Sequence, residues 1–225
     1  MITRPAALIF DVNETLLDLS HARHTIAAAL SSDESLVDTW FATLLHHSLV
    51  ESAIGSYHSF TDIGAAALVM VAHSQHISLS SKRAHEIVSS AMTSLPPHDD
   101  VVEGLETLTQ EGFTLAALSN SPAEGLNRQL TNAGIARYFP HIMSVESTQM
   151  YKPHEKVYAW ATQHIGQSPH NCMMVAAHGW DVAGASAAGL QTAFVGRPGK
   201  CAYPLAAEPT LSVSDLNALA ARLRD

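Results

Sequence analysis

The sequence predicts an α/β protein: a doubly wound parallel sheet with an all-helical lobe inserted after its first strand. Three observations predict it. Short apolar runs at 6–10, 114–118, 141–145, 173–177 and 192–195 are each followed by small or polar residues, as strands buried on both faces require. Stretches of helical period at 101–111, 124–133 and 154–165 lie between them. The interval between the first two runs, roughly 80 residues, is far too long for one crossover and reads as helical.

Taken in order, the first run ends at Asp11. From 17 to 95 the pattern is helical, with Asp33/Glu34 and Ser80/Ser81 as breaks, and the segments 37–50 and 63–71 are apolar on more than one face. Asp18 reads as a turn or cap residue where the chain turns into this lobe. Pro96-Pro97 marks the return to the core. The expected division is therefore a core of residues 1–16 and 96–225 and a helical cap of 17–95.

The composition bounds the function. The chain has 225 residues, 47% of them hydrophobic, enough for a sizeable core. Only 15% are charged and the net charge is −9, so no basic stripe exists for nucleic acid. The longest apolar run, 65–72, is too short to cross a bilayer, and Asp11 interrupts the N-terminal apolar stretch that a secretory signal would need. Two cysteines, Cys172 and Cys201, make neither a disulfide framework nor a zinc cluster. A cytoplasmic globular protein is expected, binding neither nucleic acid nor membrane, its oligomeric state open, a homodimer included.

In doubly wound sheets the ligand sits at the carboxyl ends of the strands. The first strand ends in Phe10-Asp11-Val12-Asn13-Glu14-Thr15-Leu16, the second in Leu118-Ser119-Asn120-Ser121. Tyr151-Lys152-Pro153 follows the third, and the fourth ends in Ala176-Ala177-His178-Gly179-Trp180-Asp181. Singly these are turn and cap residues. Together they bring a carboxylate, a hydroxyl, a cation and a second carboxylate to one rim.

With Tyr158 and the run His178 to Ala185, these motifs resemble the haloacid dehalogenase superfamily, and within it the type II 2-haloacid dehalogenases, over essentially the whole chain. The resemblance implies a Rossmann-like core with an inserted helical cap. It implies a hydrolase acting on carbon–halide bonds, of the (S)-2-haloacid dehalogenase type, which turns short 2-haloalkanoic acids, haloacetates included, into 2-hydroxy acids. No cofactor and no metal are implied; the partner is a small halocarboxylate. Most superfamily members are magnesium-dependent phosphatases, which carry Asp-x-Asp in the first motif and a metal-binding Asp five residues before the last carboxylate. Here those positions are Asn13 and Ala176, which removes the acid and a metal ligand. A phosphatase with an eroded metal site and a catalytically silent family member are the alternatives; intact Asp11, Ser119, Lys152 and Asp181 argue against silence.

The resemblance implies that Asp11 attacks C2 of the haloacid and forms an ester that water then hydrolyses. Thr15 and Ser119 would position Asp11 or the substrate carboxylate, Asn120 the departing halide. Lys152 would pair with Asp11, Tyr158 support the site, and Asp181 orient the lysine or the water. Phe60 and Trp180 would form an apolar wall, or else pack as ordinary core.

Two positions depart from the dehalogenase pattern. An Arg follows the cap Trp in those enzymes, but Trp40 is followed by Phe41 here. Uncompensated loss of that cation costs about 2–4 kcal/mol of transition-state stabilisation. His46 and His47, about one and a half turns further on, could bring a donor to the same pocket. The second departure is Ala176-Ala177-His178 in place of Ser-Ser-Asn. His178 then becomes the expected holder of the hydrolytic water and the acceptor of its proton.

Overall fold

A computed structural model of the chain describes residues 3–224; of the expected core ranges, positions 1, 2 and 225 lie outside the described residues. Six strands, β1 (Ala7–Phe10), β2 (Thr114–Ser119), β3 (His141–Ser144), β4 (Cys172–Ala176), β5 (Gln191–Val195) and β6 (Leu211–Val213), form one sheet in the order β3-β2-β1-β4-β5-β6. Every adjacent pair is parallel. The wholly buried β1 lies between β2 and β4, where the strand order reverses, and Asp11 leaves its carboxyl end at that switch point.

Helices α5 (Val101–Gln110), α6 (Ala123–Asn132), α7 (Glu155–Ile165), α8 (Gly179–Ala187) and α9 (Leu216–Arg224) accompany the sheet. α5 and α6 show why: Val101, Gly104, Leu105 and Leu108 recur at helical spacing on the buried face of one, Leu126, Gln129 and Leu130 on that of the other. The expected strands and helices shift by a residue or two. β6 was not among them: an edge strand of three residues, Leu-Ser-Val, is too short to show an apolar run.

Between β1 and β2 stand four helices, α1 (Ser20–Ala29), α2 (Ser35–Ile54), α3 (Phe60–Ser74) and α4 (Ser81–Ala91). Asp33 accepts from the Ser35 amide as α2 begins, and the Ser80 hydroxyl caps α4, so both expected breaks are helix starts. A third break separates α2 from α3. Gly55 ends α2 in the left-handed region (φ 72°), and Ser59 caps α3 by accepting from the Asp62 amide. The chain leaves and re-enters the core at one place: Leu17 pairs with Pro97, and the Asp18 amide donates to Pro96 O at 2.8 Å. Asp18 also caps the start of α1 through the Ser20 amide. No helix among the described residues is long and apolar enough to cross a membrane.

One glycine fixes how closely α8 approaches the loop at 151–153. A Cβ on Gly184 would lie 2.3 Å from Pro153 Cβ and 2.9 Å from the Tyr158 hydroxyl. Gly184→Ala is therefore expected to destabilise the fold by about 1–3 kcal/mol, read as a lower urea midpoint with an unchanged slope.

Candidate active site

The Asp11 amide extends the ladder by donating to Val175 O at 3.0 Å, and the chain then turns so tightly that both the Leu16 and Leu17 amides return to Val12 O. The turn places Glu14 at a positive φ of 62°, a conformation costly for a residue with a Cβ. It also folds Thr15 back on Asp11. Thr15 Oγ1 donates to Asp11 Oδ2 at 2.7 Å and accepts from the Ala177 amide at 2.9 Å. Arg197, forked on Asp100 at 2.6 and 3.0 Å, fixes the turn from outside by donating to Thr15 O.

Lys152 Nζ uses all three of its hydrogens. They go to Asp11 Oδ1 at 2.8 Å, Asp181 Oδ2 at 2.6 Å and Leu118 O at 3.1 Å. Its backbone amide donates to Asn120 Oδ1 at 3.0 Å. Burial would raise the Asp11 carboxyl, but the Lys152 charge and the His178 hydrogen bond outweigh it and hold that carboxyl far below the ordinary range. Burial would lower Lys152, yet its two carboxylates keep it raised. Asp181, wholly buried in the first turn of α8, is pushed up by burial against the pull of Lys152.

His178 stands at the N-cap of α8 with both ring nitrogens on carboxylates: Nδ1 lies 3.0 Å from Asp11 Oδ2, Nε2 2.9 Å from Glu14 Oε2. Glu14 is held in turn by Lys200 at 2.7 Å. The ring is stacked with Trp180 (5.1 Å between centroids, 26°) and, more distantly, with Phe41 (6.3 Å, 28°). A neutral imidazole has one donor and one acceptor nitrogen, so two carboxylates at these distances call for the imidazolium. Burial lowers His178, but the two carboxylates outweigh it and raise it to about 9. With Asp11 ionised beside it, the resting ring is held toward the protonated form, so the expected part as acceptor of the water's proton requires that hold to be released first.

The other expected residues divide. Phe60 and Phe41 line a cleft of about 270 Å³ between the helical lobe and the core, together with Trp40, Ser121 and Gln129. Phe41 and Trp180 line a second cleft, of about 350 Å³, with Glu14, His178 and Lys200. Ser119 Oγ accepts from the Ser121 amide at 3.1 Å. Tyr158, expected to support the site, is wholly buried behind Asp181 and donates to its Oδ1 at 2.5 Å. His46 and His47 also fail to reach the site. Trp40, Leu44 and Ser48 form the buried stripe of α2, and His46 lies roughly 200° around the helix from Leu44. His46 is exposed, His47 half-buried, and they pack edge to face at 5.2 Å. Glu14 stands in the first motif, but no role was expected of it: its left-handed turn, which aims the carboxylate at His178, leaves no trace in hydropathy.

A doubly wound parallel sheet, a helical lobe over its carboxyl edge and a buried charged cluster beneath define an α/β enzyme core. Residues 5–189 match the family model of the haloacid dehalogenase-like hydrolases, and the chain belongs to that family. It is 27% identical over 218 residues to haloacetate dehalogenase H-2 of Moraxella sp. (strain B), covering 95% of each chain. It is 27% identical over 224 residues to (S)-2-haloacid dehalogenase H-109 of Pseudomonas putida, covering 97% of each. The L-2-haloacid dehalogenase of Xanthobacter autotrophicus, 23% identical, shares its fold with a TM-score of 0.91 over 98% of both chains.

The ionic cluster has a pH signature. The folded midpoint of His178, about 9, lies above the ordinary 6.5, so its contribution to stability is complete below about pH 6.5 and is lost as pH rises through 9. The difference is on the order of 3 kcal/mol. Urea midpoints measured from pH 6 to 10 are expected to fall in the wild type and to stay flatter in His178→Asn.

Proposed function

We propose that this protein is a hydrolytic dehalogenase that converts short 2-haloalkanoic acids, haloacetates included, to 2-hydroxy acids through an ester on Asp11. The observation that carries the reading is the state of Asp11: a buried carboxylate at the switch point, kept ionised by Lys152 and held in one orientation by Thr15. An Asp11 oxygen attacks C2, the C–X bond breaks with its electron pair on the halide, and an aspartyl ester forms. Water adds to the ester carbonyl, the hydroxy acid leaves, and the carboxylate returns. The names of the two dehalogenase relatives support the same substrate class.

Halide is a stable leaving group and needs no proton. The site is built accordingly. Asn13, where the phosphatase acid would stand, donates to Ser121 Oγ at 3.1 Å and accepts from Gln129. A Mg²⁺-assisted phosphoryl transfer does not fit the donor set: Ala176 offers a methyl group, and the Lys152 ammonium bridges Asp11 and Asp181. Asn120 accepts from Lys152 through its carbonyl, so its NH₂ group is the donor left for the departing halide. Phe60, Phe41 and Trp180 supply the apolar wall, and Ser119 remains a donor beside the substrate carboxylate. We further propose a cytoplasmic location, a compartment in which thiols such as those of Cys172 and Cys201 stay reduced.

A single turnover in H₂¹⁸O with enzyme in excess is expected to leave label on the Asp11 peptide. Label confined to the hydroxy acid would mean direct attack by water. Asp11→Asn is expected to abolish halide release from chloro-, bromo-, iodo- and fluoroacetate and from 2-chloropropionate.

Halide release is expected to persist in EDTA. Activity lost on chelation and restored by Mg²⁺ would revive the phosphatase alternative.

A further inference from the structure

One of the two carboxylates that hold His178 is the group the proposed reaction consumes. In the resting enzyme the Nδ1 hydrogen points at Asp11 Oδ2 and the Nε2 hydrogen at Glu14 Oε2. Alkylation turns Asp11 into a neutral ester, and the anion facing Nδ1 disappears. Burial stays. Glu14 stays too, its charge shared with Lys200. Lys152, whose ammonium has Asp11 and Asp181 as counter-ions, is left with Asp181 alone. The remaining charges near the ring, Arg23 and Asp38 of the helical lobe, line the same cleft and pair with each other at 2.7 Å. Every change brought by the ester therefore disfavours the imidazolium.

We propose that ester formation on Asp11 is the switch that converts His178 from a locked cation into the base for ester hydrolysis, with Glu14 as the positioning residue that keeps the ring aimed. The inference rests on the reading of Asp11 as nucleophile. Glu14 keeps its bond to Nε2–H, which leaves the lone pair of Nδ1 facing the carboxyl that water must attack. Trp180 and Phe41, both near parallel to the ring, limit its rotation.

The balance closes. The Asp11 O–C2 bond forms and halide leaves with the C–X pair. The Nδ1 proton then passes to solvent through the cleft beside Lys200. Water bonds to the ester carbon as one of its hydrogens moves to Nδ1. The tetrahedral adduct breaks its bond to the alkyl oxygen, which takes the second water hydrogen and leaves as the hydroxy acid. Carboxylate and imidazolium are restored. The proton thus accompanies the halide and not the hydroxy acid.

Two measurements test this. Asp11→Asn is a neutral, isosteric stand-in for the ester and needs no substrate. In histidine-labelled protein, the His178 ring signal, identified by its loss in His178→Asn, is expected to titrate roughly 1–3 pH units lower in Asp11→Asn than in the wild type. A difference under about one pH unit overturns the switch. In the second, excess enzyme is mixed rapidly with bromoacetate in weak buffer containing an indicator dye. About one proton is expected per halide in the fast phase, whereas His178→Asn should release halide first and the proton later, with the hydroxy acid. Glu14→Gln should keep the fast halide phase but slow ester hydrolysis about 10–100-fold, with added mass accumulating on the Asp11 peptide. A wild-type proton that appears only with the hydroxy acid overturns the proposal. If bromoacetate yields no halide while the His178 titration still shifts in Asp11→Asn, the dehalogenase reading fails and the Asp11–His178 coupling stands.

Discussion

The Lys152 ammonium is 1% exposed, and its three hydrogens reach three separate pieces of chain: the carboxylate after β1, the carbonyl of Leu118 in β2 and the carboxylate at the start of α8. A cation this far from water costs several kcal/mol unless its partners are fixed beforehand. The fold fixes them. β1 lies between β2 and β4, so the carboxyl ends of these three strands are adjacent, and the loop at 151–153 delivers the lysine across them. Asp11 and Asp181 could not both stay charged at this depth without the ammonium, and the ammonium could not be buried without them. Counting Glu14, His178 and Lys200, the cluster holds three carboxylates and three cations, a balance that keeps so polar a rim compatible with an apolar sheet beneath.

The two departures from the dehalogenase pattern turn out to be neighbours. Phe41, which stands where an Arg follows the cap Trp, packs flat against His178, which stands where an amide is usual. Lys200, 5.9 Å from the Phe41 ring, completes the group from a third direction. Two cations of this cleft, His178 and Lys200, belong to the core and share Glu14, while the lobe's Arg23 is paired with Asp38.

Asp11 could be placed from the sequence because it directly ends an apolar run, and a buried parallel strand announces its own end; Lys152 and Asp181 lie several residues past theirs and were placed by the motifs that carry the family resemblance. The helical lobe could be seen for the complementary reason, since no crossover needs so many residues. Pair geometry was less accessible. His46 and His47 lie close to Phe41 in sequence, but the face of α2 they occupy is set by where Trp40 and Leu44 pack. Tyr158 sits in a motif beside the substrate machinery yet faces the back of Asp181. The protonation state of His178 depends on Glu14, three residues after Asp11 in a turn whose backbone conformation no propensity scale anticipates.

The hinge has a mechanical consequence. The helical lobe is tied to the core by two strands of chain, which cross side by side and are hydrogen-bonded to each other at Asp18 and Pro96. Elsewhere the lobe is held by non-covalent contacts, among them the Tyr151 amide donating to Ser52 Oγ at 2.9 Å and the Tyr151 hydroxyl to His58 O, while its ring stacks on Tyr57. Tyr151 is the residue before Lys152. The contacts that fasten this margin of the lobe are therefore made by the residue next to the one that holds the nucleophile.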